Sequence, residues 1–340
     1  MKVVVLTTSY PRDAQDFAGR FVADAVDELR RHGVDVEVVA PGAYRDWGLA
    51  YGAGVAANAR RRPWLVPPLL VSMVRALRRA ASDADLVHAH WLAAALVARV
   101  AGRPFVVTLH GTGSAGAFSD VALAGRRPWL VRFLLRPARA VICVSETVAA
   151  AVRACGVERV TVIPNGVRIP DAVGTPAVPP EVLYVGRLSP EKNIDTLMEA
   201  CGDLNLVVAG DGPLRSLVPQ TLGAVSNDEV ASLLERASVV VAPCDTEGFG
   251  LAAAEGMAYG LPVVAAAGGA LLELVEDGVT GLLVEPRNAD ALRSAVQCLL
   301  ADDELRRRLG AAARARASAR FGWAHVTDRT LEVYRQALAG

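Results

Sequence analysis

The chain has 340 residues, 52% of them hydrophobic and 5% aromatic, with a formal net charge of zero. This length exceeds one ordinary core and suits two domains; abundant Ala, Val, Leu and Gly suit helices packed on buried parallel strands. No nucleic-acid partner is expected. The five cysteines are scattered without a CxxC pair, as in a reduced, cytoplasmic protein. The opening MKVVVLTTSYP reads as a strand and turn rather than a leader, and no apolar run reaches the roughly 20 residues of a membrane span. The charge is unevenly spread. Residues 1–170 hold 22 Lys and Arg against 13 Asp and Glu, and residues 171–340 hold 14 against 23. A basic first half suits an anionic acceptor or an anionic membrane surface, and is equally what solvated faces of an Arg-rich chain look like.

In chain order, VVVLTT reads as a buried strand and FAGRFVADAVDELRRHG as a helix closed at Gly33. VDVEVVAP, DLVHAHW, PFVVTLHG, AVICVSE and RVTVIPNG follow as short apolar runs, each ending in a polar or glycine signal. Strands alternating with helices predict a parallel sheet covered on both faces, whose ligands sit beyond the carboxyl ends of the strands. Ser9, His88, His90, His110, Ser145 and Asn165 fall at those ends.

The Pro- and Gly-rich stretch 166–180 reads as a linker. The pattern then restarts with EVLYVGR, LNLVVAGDG, SVVVAPC, LPVVAA and GLLVEP as strands, and with EKNIDTLMEACG, NDEVASLLERA, GLAAAEGMAYG and three C-terminal segments as helices. The expectation is an α/β chain of two Rossmann-like domains facing a cleft: 1–165, a linker 166–180, 181–320, and a last helix 321–340 returning to the first domain. One internal repeat stands out. RRPWLVPPLL (61–70) and RRPWLVRFLL (126–135) share eight of ten residues. They read either as two similar core helices of an Arg-rich protein or as a peripheral membrane or acceptor-facing surface over 60–79 and 126–139.

Three constellations carry chemistry. In YVGRLSPEKN, Arg187 ends a strand and Lys192 opens a helix; Lys192 is one of two lysines in a chain with 34 arginines, which points to a need for a compact ammonium. Both cations suit a diphosphate, and are equally what a surface Arg and Lys near a helix start look like. At ~4 Å and an effective dielectric of ~20 each contact is worth about 4 kcal/mol before desolvation, enough to stabilise a departing nucleoside diphosphate without a metal. In DTEGFGLAAAEGMAYG, the N–H groups of Phe249, Gly250 and Leu251 at a helix start favour phosphate or sugar oxygens. Glu255, on an apolar helix, needs partners that ribose hydroxyls would supply. Third, His88, His90 and His110 cluster at two strand ends. An HxH pair with a third His is one way to hold zinc, but no acidic or Cys ligand sits beside them in the sequence, so no metal site is expected. A structural role competes for His88 and His90, whereas His110, in a turn, reads as functional.

In order and spacing, SYPRDAQDFAGRF, DLVHAHW, TLHGTG, CVSE, VIPNGV, YVGRLSPEKN, AGDGPL, GAVSNDEV, EGFGLAAAE, GMAYGLPVVA, GGALLELVEDGVTGLLVEP and the terminal FGW helix resemble retaining glycosyltransferases of family 4, which have the GT-B fold. The most specific piece is the pair of glutamates, Glu247 and Glu255, flanking GFG. The resemblance implies transfer of a sugar from a nucleotide diphosphate donor to an acceptor hydroxyl, with retention and with neither metal nor cofactor. It implies that Gly19 offers its N–H to the donor phosphate and that Arg187 and Lys192 hold the diphosphate. Glu247 would bind sugar hydroxyls; Phe249, Gly250 and Leu251 bind sugar and phosphate through their backbone. Glu255 would bind the ribose, the loop at Val225 would lie against the base, and His110 beside the sugar. His110, Arg187, Lys192 and Glu247 are thus the catalytic candidates. The sequence departs from the family at Ala18-Gly19, where a Gly pair is frequent, at Cys244, where Ser is usual, and between Gly212 and Gly223, where PLRSLVPQTL leaves no room for a full helix and strand. Three other readings compete. A nucleotide-sugar 2-epimerase needs an acid/base set beyond Glu247, Glu255 and Glu273. A histidine-metal hydrolase would lose activity to a chelator. A silent binding subunit would bind donor without turnover.

Overall fold

The structure, a computed structural model, describes residues 1–13, 16, 18–51, 55–111 and 119–339. Parts of two motifs, residues 14, 15 and 17 of the first loop and Thr112 and Gly113 of TLHGTG, lie outside them. The chain forms two compact units: Met1–Pro164 with Val326 onward, and Asn165–His325.

In the first unit β1 (Lys2–Leu6), α1 (Arg20–Arg31), β2 (Asp35–Val39), α2 (Val55–Arg61), α3 (Val66–Ala80), β3 (Leu86–His90), α4 (Trp91–Ala101), β4 (Phe105–Leu109), α5 (Asp120–Arg126), α6 (Pro128–Leu135), β5 (Ala140–Cys143), α7 (Glu146–Arg153) and β6 (Val160–Val162) follow in order. All six strands pair in parallel in the order β2-β1-β3-β4-β5-β6. The inner strands β1, β3, β4 and β5 are largely buried, β3 and β4 along their whole length, while the edge strands β2 and β6 stay partly exposed, as in a sheet covered by crossover helices. The order reverses between β1 and β3, so the switch point where such sheets take ligands lies at the ends of those two strands.

The second unit contains β7 (Val182–Val185), α8 (Ile194–Cys201), β8 (Leu206–Ala209), α9 (Asn227–Arg236), β9 (Val239–Ala242), α10 (Leu251–Ala258), β10 (Val263–Ala266), α11 (Leu271–Leu274), β11 (Gly281–Val284), α12 (Ala289–Ala301) and α13 (Asp303–Arg320). The five parallel strands run β11-β10-β9-β7-β8, with the switch point between β7 and β9. Val182, Leu197, Val208, Val239, Val264 and Val296 form the centre of its core. Residues 165–181 carry no helix or strand and pack on this unit: Val167 N–H donates to Phe321 O (2.8 Å) and Ala177 N–H to Arg236 O (2.8 Å). The last helix, α14 (Trp323–Ala339), belongs from Val326 onward to the first unit.

Two local departures from the sequence reading have clear causes. The expected single helix from Lys192 is split: Pro190–Lys192 is one 3-10 turn, Asn193 takes a left-handed conformation (φ 51°), and α8 begins at Ile194. Asn tolerates this region because its short side chain bonds locally, and Asn193 Nδ2 donates to Pro243 O (2.9 Å). Between Gly212 and Gly223 there is only the 3-10 turn Arg215–Leu217, with Gly210 and Gly223 bridged directly; the segment is as short as it reads.

The repeat is a surface feature at its tryptophans. Arg62 and Arg127 precede Pro63 and Pro128 with matching angles (φ −137°, ψ 62° and φ −139°, ψ 59°). Trp64 and Trp129 are 68% and 65% exposed, while Leu69, Leu134 and Leu135 are buried. The leucines of the repeat are core and its Trp-Arg turns are surface. Among the described residues no helix is long and apolar enough to cross a membrane.

Candidate active site

Both switch points carry the residues singled out by the sequence, and each is described within its own unit.

In the second unit, β7 ends just before Gly186-Arg187 and β9 just before Pro243–Glu247. The Tyr184 hydroxyl donates to Arg187 O (3.1 Å), bracing the turn from which the half-buried Arg187 side chain leaves. Lys192 Nζ and Glu247 Oε1 form a hydrogen-bonded ion pair. Burial alone would lower the Lys192 pKa. The Glu247 carboxylate, helped by Glu191, overcomes this and leaves it above its ordinary value, so the ammonium persists through neutral pH. The two residues lie 55 positions apart in the chain, and three supports hold them. Asn193 ties the Lys192 turn to Pro243. Cys244 Sγ–H donates to Glu191 O (3.0 Å), its thiol held protonated by burial. On the other side, Ala270 N–H donates to Glu247 O (3.0 Å), and Gly268 and Gly269 lie so close that a Cβ on either would fall 2.5–2.7 Å from the carbonyls of Asp245 and Glu247.

Beyond Glu247, Gly250 is the left-handed residue (φ 91°) that turns the chain into α10, and a Cβ there would meet Leu271 Cδ2 at 2.8 Å. The Phe249 ring is buried edge-on against Phe321 (5.7 Å), which takes the ring itself out of reach of a ligand. Leu251 starts α10, whose first N–H groups and dipole favour an anion. Glu255 is half-buried one turn further along, among buried Ala253, Ala254, Gly256 and Met257. Val225 is half-buried in the loop beside the Gly210–Gly223 bridge, just before the capping box of α9.

In the first unit, Gly19 (φ 70°) caps α1; a Cβ there would fall 2.3 Å from Ser9 O, so the position accepts only glycine. His110 follows β4, its N–H donating to Asp120 Oδ2 (3.1 Å), while Leu92 N–H donates to Asp120 Oδ1 (3.3 Å). Burial pushes the Asp120 carboxyl up to about 6 against the pull of those backbone donors. Phe21 and Trp91 flank the His110 ring at 4.9 and 4.8 Å. His110 Nε2 lies 2.9 Å from His90 Nδ1. His88 is sandwiched between two hydroxyls, Tyr334 Oη on Nδ1 (2.6 Å) and Thr108 Oγ1 on Nε2 (2.7 Å). Burial drives the His88 pKa down to about 3 and that of His90 well below 6.5, the latter helped by its two histidine neighbours. With both nitrogens of His88 facing hydroxyls, the three rings do not present three lone pairs to one point. Among the described residues no group of three His, Cys, Asp or Glu side chains converges as metal ligands would.

The structure thus brings Lys192 and Glu247 into contact and sets Gly250 and Leu251 directly after them; Gly19 and His110 belong to the other unit. Asn193, Asp120, Thr108 and Tyr334 were not singled out from the sequence. Asn193 alone had a readable signal, standing next to Lys192 at the start of a helical pattern.

The glycosyl transferases group 1 model matches residues 168–316, and the Glycosyltransferase Family 4 model residues 18–169. The chain is 31% identical to alpha-maltose-1-phosphate synthase of Mycolicibacterium smegmatis, over the whole of both proteins. It belongs to glycosyltransferase family 4. Its fold is that of sucrose-phosphate synthase from Thermosynechococcus elongatus (TM-score 0.82, 24% identity, all of both chains). It is also that of Anabaena Alr3699/HepE, solved in complex with UDP-glucose (TM-score 0.74, 21% identity, 98% of this chain and 99% of that one). Both are two-domain GT-B structures, as the resemblance implied. The protein is accordingly a glycosyltransferase, and membership in this family does not favour the epimerase reading.

Proposed function

We propose that this family 4 enzyme transfers a glycosyl group from a nucleotide diphosphate sugar to an acceptor hydroxyl with retention, and that protein cations, not a metal, carry the leaving diphosphate. The acceptor is a cell-envelope glycan, a glycolipid or a secondary metabolite. The observation that carries this reading is the Lys192–Glu247 pair beside the Gly250 turn and the start of α10: a cation and helix N–H groups for phosphate, next to a carboxylate for sugar hydroxyls.

Arg187 and Lys192 neutralise the charge that develops as the C1–phosphate bond breaks, and the amides at the start of α10 add to it. The acceptor oxygen bonds to C1 on the face the phosphate leaves, and its proton passes to a phosphate oxygen. Glu255 holds the ribose, Glu247 the sugar hydroxyls, the Val225 loop the base and Gly19 a donor phosphate; His110 serves the transferred sugar. The relative's binding of UDP-glucose makes a uridine donor the first to test.

A peripheral contact with an anionic membrane through residues 60–79 and 126–139 belongs to the same proposal. The exposed Trp64 and Trp129, each next to exposed arginines, are what supports it. Thermal-shift titration with UDP, GDP and ADP, then donor-hydrolysis assays with and without EDTA, tests the main reading: one nucleotide should raise Tm, and activity should survive the chelator. No nucleotide effect would overturn donor binding, and chelator-abolished turnover would overturn metal independence. Sedimentation with anionic vesicles at low salt tests the surface contact.

A further inference from the structure

Tyr334, His88, His90 and His110 form a continuous contact chain in the first unit, from the C-terminal helix to the rim of the sheet. All but His110 are buried, with Tyr334 at 0%, His88 at 4% and His90 at 5% exposure. The His88 and His90 rings, two residues apart on β3, lie face to face (centroids 4.5 Å, planes 30° apart). The His90 and His110 rings are related differently. Their planes are 10° apart with centroids at 5.2 Å, yet their nitrogens are 2.9 Å apart. That combination describes two rings end to end in one plane, joined nitrogen to nitrogen.

The proton count follows. His88, driven neutral by burial, has one N–H and one lone pair for two hydroxyls. A phenol donates better than it accepts, so Tyr334 O–H donates to Nδ1 and the Nε2–H donates to Thr108 Oγ1. Between His90 Nδ1 and His110 Nε2 a single hydrogen is shared, so the tautomer of one ring dictates that of the other. His90 cannot accept a charge there, since it is dehydrated and stacked on His88. Its facing nitrogen is therefore a hydrogen-bond partner of His110 and not a proton sink.

We propose that Tyr334 and His88 are positioning residues for His110: they hold His90 as a neutral plate, and His90 fixes which nitrogen of His110 carries the hydrogen and how its ring lies. This rests on the reading that His110 serves the transferred sugar. The terminal helix, through one hydroxyl, thereby reaches the site 224 residues earlier in the chain.

The test labels histidine nitrogen with 15N in the full chain and reads tautomers from two-bond 1H–15N spectra, alongside hydrolysis of the donor that the nucleotide screen selects. Tyr334→Phe should alter the His88 pattern, redistribute the His90 and His110 tautomers, and lower kcat about 5–20-fold with donor KM within about 2-fold. Thr108→Val, which withdraws the other hydroxyl from His88, should act in the same direction and serves if Tyr334→Phe does not fold. Val333→Ala, a buried neighbour on the same helix, controls for simple loosening: it should lower Tm while leaving the spectra and kcat unchanged. Unaltered His90 and His110 signals with unaltered kcat in a folded Tyr334→Phe protein would overturn the proposal, as would the same spectral change in Val333→Ala. Full turnover by His110→Ala would instead remove the catalytic reading of His110 while leaving the measured coupling in place, so the two failures are distinguishable.

Discussion

The two units place reactive groups at the same topological position, the switch point of a parallel sheet, but they stabilise them in opposite ways. The first uses His88 and His90, buried and neutral, the one hydrogen-bonded to two hydroxyls and the other to His110. The second uses a charged pair, Lys192 and Glu247, on glycine-lined turns that remain partly open to water. Neutral networks are rigid and sensitive to protons, whereas a half-buried ion pair is readily re-partnered when a charged ligand arrives. The contrast suits a division in which the second unit grips a polyanion and the first presents a fixed, uncharged face.

The largest effect that would sharpen this contrast is Lys192→Ala. It removes the cation from the proposed diphosphate and leaves Glu247 without its partner, so kcat/KM should fall about 10²–10³-fold, the size of one strong transition-state contact. Steady-state kinetics with the donor chosen by nucleotide titration measures it. Full activity would break the assignment of the second unit to the diphosphate.

Next comes a pair of glycine substitutions. Gly19→Ala pushes a Cβ against the backbone carbonyl of Ser9 at a left-handed residue. Backbone cannot step aside, so the loss of stability should be about 2–4 kcal/mol. Gly250→Ala meets the tip of a leucine side chain, which yields more easily, and should cost about 1–2 kcal/mol. Urea unfolding of both variants checks the order, and equal losses would mean that the two turns are equally constrained.

The two units should also respond differently to acid. Unfolded, His88 and His90 titrate near 6.5; folded, they do so at about 3 and well below 6.5. The folded form thus binds fewer protons in acid, and stability present at pH 7.5 is lost as pH falls through the unfolded value. Asp120 runs the other way. Its folded pKa of about 6 exceeds the unfolded one, so protonation returns part of the loss. The net decrease from pH 7.5 to 5.5 is about 2 kcal/mol. Hydrogen exchange should show β3 and β4 loosening before β7 and β9. Uniform loosening, or none, would contradict neutral burial of the imidazoles.

How much of this was readable in the sequence depends on the range of the interaction. Each of the eleven strands among the described residues announces itself as a short, mostly apolar run with a polar or glycine stop, because burial in a parallel sheet is a local demand. The turn at Glu247–Leu251 was legible because glycines and a carboxylate are confined to one loop. Tyr334 gave no signal: it is an ordinary core aromatic at helical spacing until the fold sets it on His88, 246 positions away. Asp120 looks like any first-turn acid of a helix until His110 and Leu92 are seen donating to it. The break at Asn193 was missed because periodicity runs through it, and only its bond to Pro243 reveals why the helix restarts.

The smallest effect concerns Glu255, and it sharpens the comparison by separating binding from chemistry within the second unit. Its carboxylate sits on α10, after the turn proposed to meet the phosphates and on an otherwise apolar stretch. A ribose held there is bound alike before and during bond cleavage, so its loss withdraws uniform binding. Glu255→Ala should therefore raise donor KM about 10-fold with kcat nearly unchanged, whereas Lys192→Ala acts on kcat. Isothermal titration with the nucleoside diphosphate alone should show the same weakening, because ribose and diphosphate are both present in that ligand and the sugar is not. A loss confined to kcat would move Glu255 from the ribose to the reacting centre, and the charged machinery of the second unit would then extend a full helical turn beyond the Lys192–Glu247 pair.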